Sequence, residues 1–204
     1  MTVQPQAATT PGQPHSRAKS RLPGEEGVWF FILGDLLVFT VFFATFLYYR
    51  NEDVVLFITS QAQLNQGIGV LNTLLMLSSS WFVATAVHCV RLGLYRTSWK
   101  LLLLAFVCGA GFIVIKFFEY SEKITAGITL STNDFFMYYF IYTGIHGIHV
   151  LIGLGILLYM TLLLRSRQSG LTASDLQNLE SGAIFWHLVD LLWIVIFALL
   201  YLVK

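Results

Sequence analysis

Charged side chains are scarce. Asp, Glu, Lys and Arg make up 11% of the 204 residues, against 56% hydrophobic, and the mean hydropathy is +0.72. A soluble domain carries about 25% charged residues, so this chain cannot offer a water-facing surface over its whole length. The formal net charge is only +1. No basic cluster resembles a nucleic-acid-binding arm, which removes nucleic acid as a partner. Proline is confined to Pro5, Pro11, Pro14 and Pro23, so it interrupts none of the long apolar runs. The two cysteines, Cys89 and Cys108, lie in apolar runs without CxxC or zinc-finger spacing and read as small buried groups. There is no Gly-rich phosphate loop, Walker pattern or HExxH, and no serine or cysteine nucleophile constellation. Catalytic residues and metal ligands of the usual kinds are therefore not expected.

Apolar runs fill the rest. A spanning helix needs roughly 20 mostly apolar residues. Five such runs are present, at about 27–49, 67–92, 99–124, 135–164 and 179–203. They predict an all-α integral membrane protein with five transmembrane helices. Residues 1–22 are rich in Pro, Gln, Thr and Ala and lack the apolar stretch of a cleavable signal. They are expected to be a disordered tail, leaving 23–204 as the membrane domain. Glu25 and Glu26 suit the positive end of the first helix. Residues 54–66 are mixed, and read as an interfacial stretch or an extension of the second helix. Ser131, Asn133 and Asp134 are the N-cap candidates for the fourth.

Basic residues set orientation. The tail (Arg17, Lys19, Arg21), the second loop (Arg91, Arg96, Lys100) and the fourth loop (Arg165, Arg167) hold eight, and the other side holds three: Arg50, Lys123 and Lys204. The N-terminus is accordingly expected in the cytoplasm and the C-terminus outside.

Ionisable residues inside these runs must face protein, water or a lipid headgroup. Asp35 stands about eight residues into the first run, with no basic residue within a turn. It must be protonated, bonded to another helix or open to water, and it is the candidate for handling protons. Glu119 follows Lys116 by three residues, so the two can pair along the helix. His146 and His149 share a helix face, as do His187 and Asp190, while Glu180 opens the fifth run. A histidine pair could ligate metal or haem, but interhelical hydrogen bonding is the plainer reading. Gly144 and Gly147 are expected to admit a neighbouring helix.

At these motifs the chain resembles subunit III of the haem-copper oxidases. The carriers are Tyr139-Phe-Ile-Tyr-Thr-Gly-Ile-His-Gly-Ile-His-Val-Leu-Ile-Gly153 and Glu180-Ser-Gly-Ala-Ile-Phe-Trp-His-Leu-Val-Asp-Leu-Leu-Trp193. Leu71-Asn-Thr73, Ser78-Ser79 and Glu119-Tyr120 support them, in family order across 28–203.

The resemblance implies a helical subunit that binds no haem or copper itself. Both would sit in partner subunits: subunit I, which reduces dioxygen and pumps protons, and subunit II. It further implies support of proton uptake and durable turnover, and bound phospholipid as an admissible ligand. Glu119, His146, His149, Glu180, His187 and Asp190 match the family's polar positions, where headgroup and interhelical contacts are expected. Asp35 stands where the family has Glu, one methylene shorter. Lys116 stands where Gln or an acidic residue is frequent.

Five helices resemble the shorter bacterial members, such as those of quinol oxidases, and place the chain in a bacterial plasma membrane. Leu22-Pro-Gly-Glu-Glu-Gly-Val-Trp-Phe-Phe-Ile-Leu33 also resembles the branch associated with nitric oxide reductases. A standalone transporter or proton channel is a third reading, weakened by the lack of an internal repeat.

Overall fold

Helices carry the backbone through the membrane because lipid offers their N–H and C=O groups no partner. A computed structural model describes residues 26–167 and 170–203. Five helices in it are long and apolar enough to span: Gly27–Glu52, Gln66–Arg91, Tyr95–Thr125, Asp134–Ser166 and Ala173–Leu202. At 1.5 Å per residue even 26 residues reach about 39 Å, beyond the roughly 30 Å hydrocarbon core. The tail at 1–22, with its three basic residues, lies outside the described residues, as do Glu25 and Lys204.

The elements run α1 (Glu26–Glu52), α2 (Val54–Gln61), α3 (Gln66–Arg91), α4 (Tyr95–Thr125), α5 (Asp134–Ser166) and α6 (Ala173–Phe197), with a π-helical end at Ala198–Leu202. The mixed stretch after α1 thus forms its own short helix, capped by Asp53, which accepts from the Leu56 amide at 3.0 Å. Asn133 caps α5, accepting from Phe136 N at 2.9 Å. Helix α4 begins four residues before the expected start, so Arg96 is helical. Helix α6 begins six residues early. Its first turn is polar and is started by a capping box between Thr172 and Asp175. Gly93 (φ 75°) and Gly127 (φ 79°) end α3 and α4 in the left-handed region. Behind each, the paired 6→1 and 5→2 bonds of a Schellman motif close the helix.

Helices α3, α4, α5 and α6 close a ring: each packs on the next, and α6 returns to α3. Helix α1 leans on α5 and α6 from outside, with α2 beside it. Burial follows: 61% of the most apolar window of α6 is buried, against 17% for α1. The ring is tightened by small residues. Trp186 of α6, fully buried, lies against Gly109 of α4 and Gly153 of α5. Gly182 of α6 meets Ile156 and Met160, and Gly69 of α3 meets Phe197 and Tyr201. The expected close approach at Gly144 and Gly147 is not where the helices touch. A Cβ at Gly147 would meet nothing within 4 Å, and one at Gly144 only the Tyr120 hydroxyl at 3.9 Å.

Candidate functional site

Polar groups gather in two places, one at the seam of α1 with the ring and one inside the ring. At the seam, His149 of α5 sets its Nε2 3.1 Å from Asp35 Oδ1 of α1. Its Nδ1 lies 2.9 Å from the Ile145 carbonyl one turn back. That carbonyl only accepts, so Nδ1 carries a hydrogen. The bond to Asp35 then needs one further proton, held either by Nε2 as imidazolium facing carboxylate or by Asp35 facing neutral imidazole. Phe39 lies edge-on to the imidazole, ring centroids 5.8 Å apart, and Phe185 stacks at 6.5 Å. Asp35 Oδ2 is buried without a partner. A further tie across this seam runs from the Tyr142 hydroxyl to the Phe42 carbonyl.

Inside the ring, Lys116 and Glu119 of α4 form the ion pair their spacing predicted, at 2.9 Å. A third member, Tyr201, arrives from the π-helical end. Its hydroxyl accepts from Lys116 Nζ at 3.0 Å and donates to Glu119 Oε1 at 2.7 Å, closing a triangle. The ammonium also sits 5.0 Å from the Trp193 ring centroid, 5.2 Å from Tyr139 and 5.5 Å from Tyr201. Such a cage lessens the cost of holding a cation away from water. The Tyr201 carbonyl accepts from Gln66 Nε2 at 2.9 Å, which latches the end of α6 to the start of α3.

The remaining polar positions make separate contacts. His146 is fully buried between Phe112 and Trp193, and both its ring nitrogens lack a partner. It turns into the ring while His149 turns to α1, so the two do not converge as a ligand pair. Among the described residues no three of His, Cys, Asp and Glu stand together as a metal would require. His187 Nδ1 lies 2.6 Å from the Ser80 hydroxyl of α3, an interhelical contact of the kind expected. Asp190 Oδ1 is buried without a partner. Glu180 pairs with Arg91 of α3 at 2.8 Å.

Sequence reading did not assign Tyr201, Tyr142 or Ser80. Each meets a partner at least 82 positions away. The usable signal was only that a tyrosine hydroxyl inside a span needs a bond.

Comparison with known proteins shows what the chain is similar to. The family model described as Cytochrome c oxidase subunit III matches residues 23–204. The chain is 29% identical over 177 residues to quinol oxidase subunit 3 of Bacillus subtilis (strain 168), covering 86% of this chain and 85% of that one. It is 31% identical over 186 residues to cytochrome c oxidase subunit 3 of Thermostichus vulcanus, covering 86% and 85%. Against cytochrome c oxidase subunit 3 of Alkalihalophilus pseudofirmus it is 27% identical over 198 residues, covering 95% of each.

Proposed function

Because the chain belongs to the cytochrome c oxidase subunit III family, we propose that it serves a haem-copper terminal oxidase as its subunit without a redox centre, sustaining proton uptake by the oxygen-reducing subunit I. It is a multi-pass membrane protein of an oxidase complex. Subunits I and II are the partners proposed here, with the haem and copper in them, and a bacterial plasma membrane is the site. Oxygen chemistry occurs in the partner; this chain supplies structure and ionisable groups beside it. The nitric oxide reductase reading draws no support from the names of the relatives.

The observation that carries the proton-handling part is the Asp35–His149 couple. Its hydrogen bond requires one proton between the two side chains, and it stands at the seam between α1 and the ring. A carboxyl and an imidazole 3.1 Å apart can pass that proton without moving backbone. Asp35 thus offers the side chain from which a proton could be relayed. Glu119, His146, Glu180, His187 and Asp190 act in this reading as interhelical and headgroup contacts that hold the ring of α3 to α6 together.

Asp35→Asn separates the roles. The amide still bonds Nε2, so α1 keeps its tie, but it cannot take up a proton. The variant complex should assemble in wild-type amounts and start turnover close to wild type, then lose activity several-fold faster while cycling. Oxygen uptake followed over successive turnovers measures this. Initial rate and decay both equal to wild type would leave Asp35 as a tether alone.

A further inference from the structure

One layer inside the ring of α3 to α6 is not completed by the chain's own hydrogen bonds. Asn72 of α3 is fully buried, and neither its amide nitrogen nor its side-chain oxygen has a partner. His146 of α5 is fully buried, and the same holds for both its ring nitrogens. Buried polar atoms are as a rule hydrogen-bonded, and leaving one without a bond is costly.

Helix register brings the two side chains to one level. Helices α3 and α4 run antiparallel. The Ser79 hydroxyl donates to the Ala105 carbonyl at 2.8 Å, and a Cβ at Gly111 would lie 3.7 Å from Leu75 Cδ1. One turn nearer the start of α3, Asn72 is therefore level with residues 112–115 of α4. Phe112 stands there, its ring centroid 5.5 Å from that of His146 and 4.7 Å from that of Trp193. Trp193 of α6 lies 5.3 Å from His146, and its Nε1 donates to the hydroxyl of Thr73, the neighbour of Asn72, at 3.1 Å. Each helix of the ring thus gives one buried side chain to this layer: Asn72, Phe112, His146 and Trp193. Two are aromatic spacers and two are polar.

We propose that this layer binds ordered water, which joins Asn72 to His146 and so ties α3 to α5 across the ring. An amide offers donors and an acceptor, and a neutral imidazole offers one of each. Water donates and accepts, so it matches both whichever nitrogen of His146 carries the hydrogen. Buried water makes about three hydrogen bonds, and these two side chains supply that number. An ion fits less well. No carboxylate belongs to the layer to balance a cation, and the Lys116 ammonium, 5.0 Å from the Trp193 ring, repels one. An anion would compete with Glu119, which already holds that ammonium at 2.9 Å. A lipid headgroup cannot reach side chains that are fully buried. The site is separate from the Asp35–His149 couple and does not depend on which oxidase the chain serves.

A map of the wild-type chain in its native complex, at a resolution that shows ordered water, tests this first. A peak should stand about 2.7–3.2 Å from both the Asn72 side chain and the His146 ring. A layer without one overturns the proposal. Asn72→Leu, His146→Leu and the double variant test it in solution. With water bound, each single variant strands the water and the remaining partner. The ratio of folded to unfolded complex should then fall about five- to 150-fold. The double variant leaves neither side chain to satisfy, and should lose less than the two single losses multiplied together. A dry layer gives the opposite sign. Either single variant would then remove an unpaired polar group and raise the ratio, which overturns the proposal. Should the variants not accumulate, the wild-type map decides alone.

Discussion

Gly153→Leu should remove the folded subunit from the membrane, and Gly153→Ala should already weaken it. A Cβ at position 153 would stand 2.6 Å from Cε3 and 2.7 Å from Cζ3 of Trp186. The indole has no room to retreat, because its far edge is held by α4, where a Cβ on Gly109 would stand 2.7 Å from Cη2. Trp186 is a wedge between two backbones, so relief requires α5 to move away from α6. Overpacking of this kind costs about 1–3 kcal/mol for one methyl group, and a leucine side chain multiplies the displacement. Gly147→Ala is the control, since its Cβ would enter open space. Purified complexes unfolded by denaturant should rank Gly147→Ala with wild type, Gly153→Ala well below, and Gly153→Ala/Trp186→Phe in between. A Gly147→Ala loss exceeding that of Gly153→Ala would mean the ring packs differently.

Lys116→Met should destabilise the chain by about 3–5 kcal/mol, the usual cost of leaving one member of a buried ion pair alone. Glu119 is 2% exposed and would keep only the Tyr201 hydroxyl as a firm donor. The same residues give a sharper test as a cycle. Glu119→Gln leaves an ammonium in an aromatic cage without its counter-ion, and should cost a similar amount. The double variant Lys116→Met/Glu119→Gln removes both charges and should recover most of the loss, since an ion pair replaced by neutral groups of similar volume is often tolerated. The coupling read from the four stabilities should be at least about 2 kcal/mol, within the range for residues in direct contact. Near-neutral, additive effects of all three variants would mean water reaches the triangle. The cycle also bears on the departure from the family at Lys116: the lysine is supported by Glu119, Tyr201 and three aromatic rings, all of which this chain provides.

The spans were legible because hydropathy over a spanning length is a property of neighbours in sequence. The family was legible because its polar positions punctuate those spans in a fixed order. Element ends were less so. Helix α2 and the first six residues of α6 lie where polar and apolar residues mix, and there Asp53 and the Thr172–Asp175 box decide the start. Pairings between helices were not legible. Asp35 had no basic neighbour within a turn, yet its partner is His149, 114 positions away. Spacing put His146 and His149 on one face. Three residues on a helix still differ by about 60°, enough to send one into the ring and the other to α1. The same limit hid the glycines: four apolar faces could have carried the contact, and only packing shows that Gly109 and Gly153 do and Gly147 does not.

In the proposed function this chain serves a redox machine without being one. A tagged copy drawn from its own membranes in mild detergent tests that most directly, through the visible spectrum and the iron and copper content of what comes down. Haem and copper are expected in fixed proportion to the chain while the complex is intact, and polypeptide free of both after the subunits are separated. Stoichiometric iron or copper retained by the separated chain, or a chain that comes down alone while oxygen uptake is unchanged by its deletion, would contradict it.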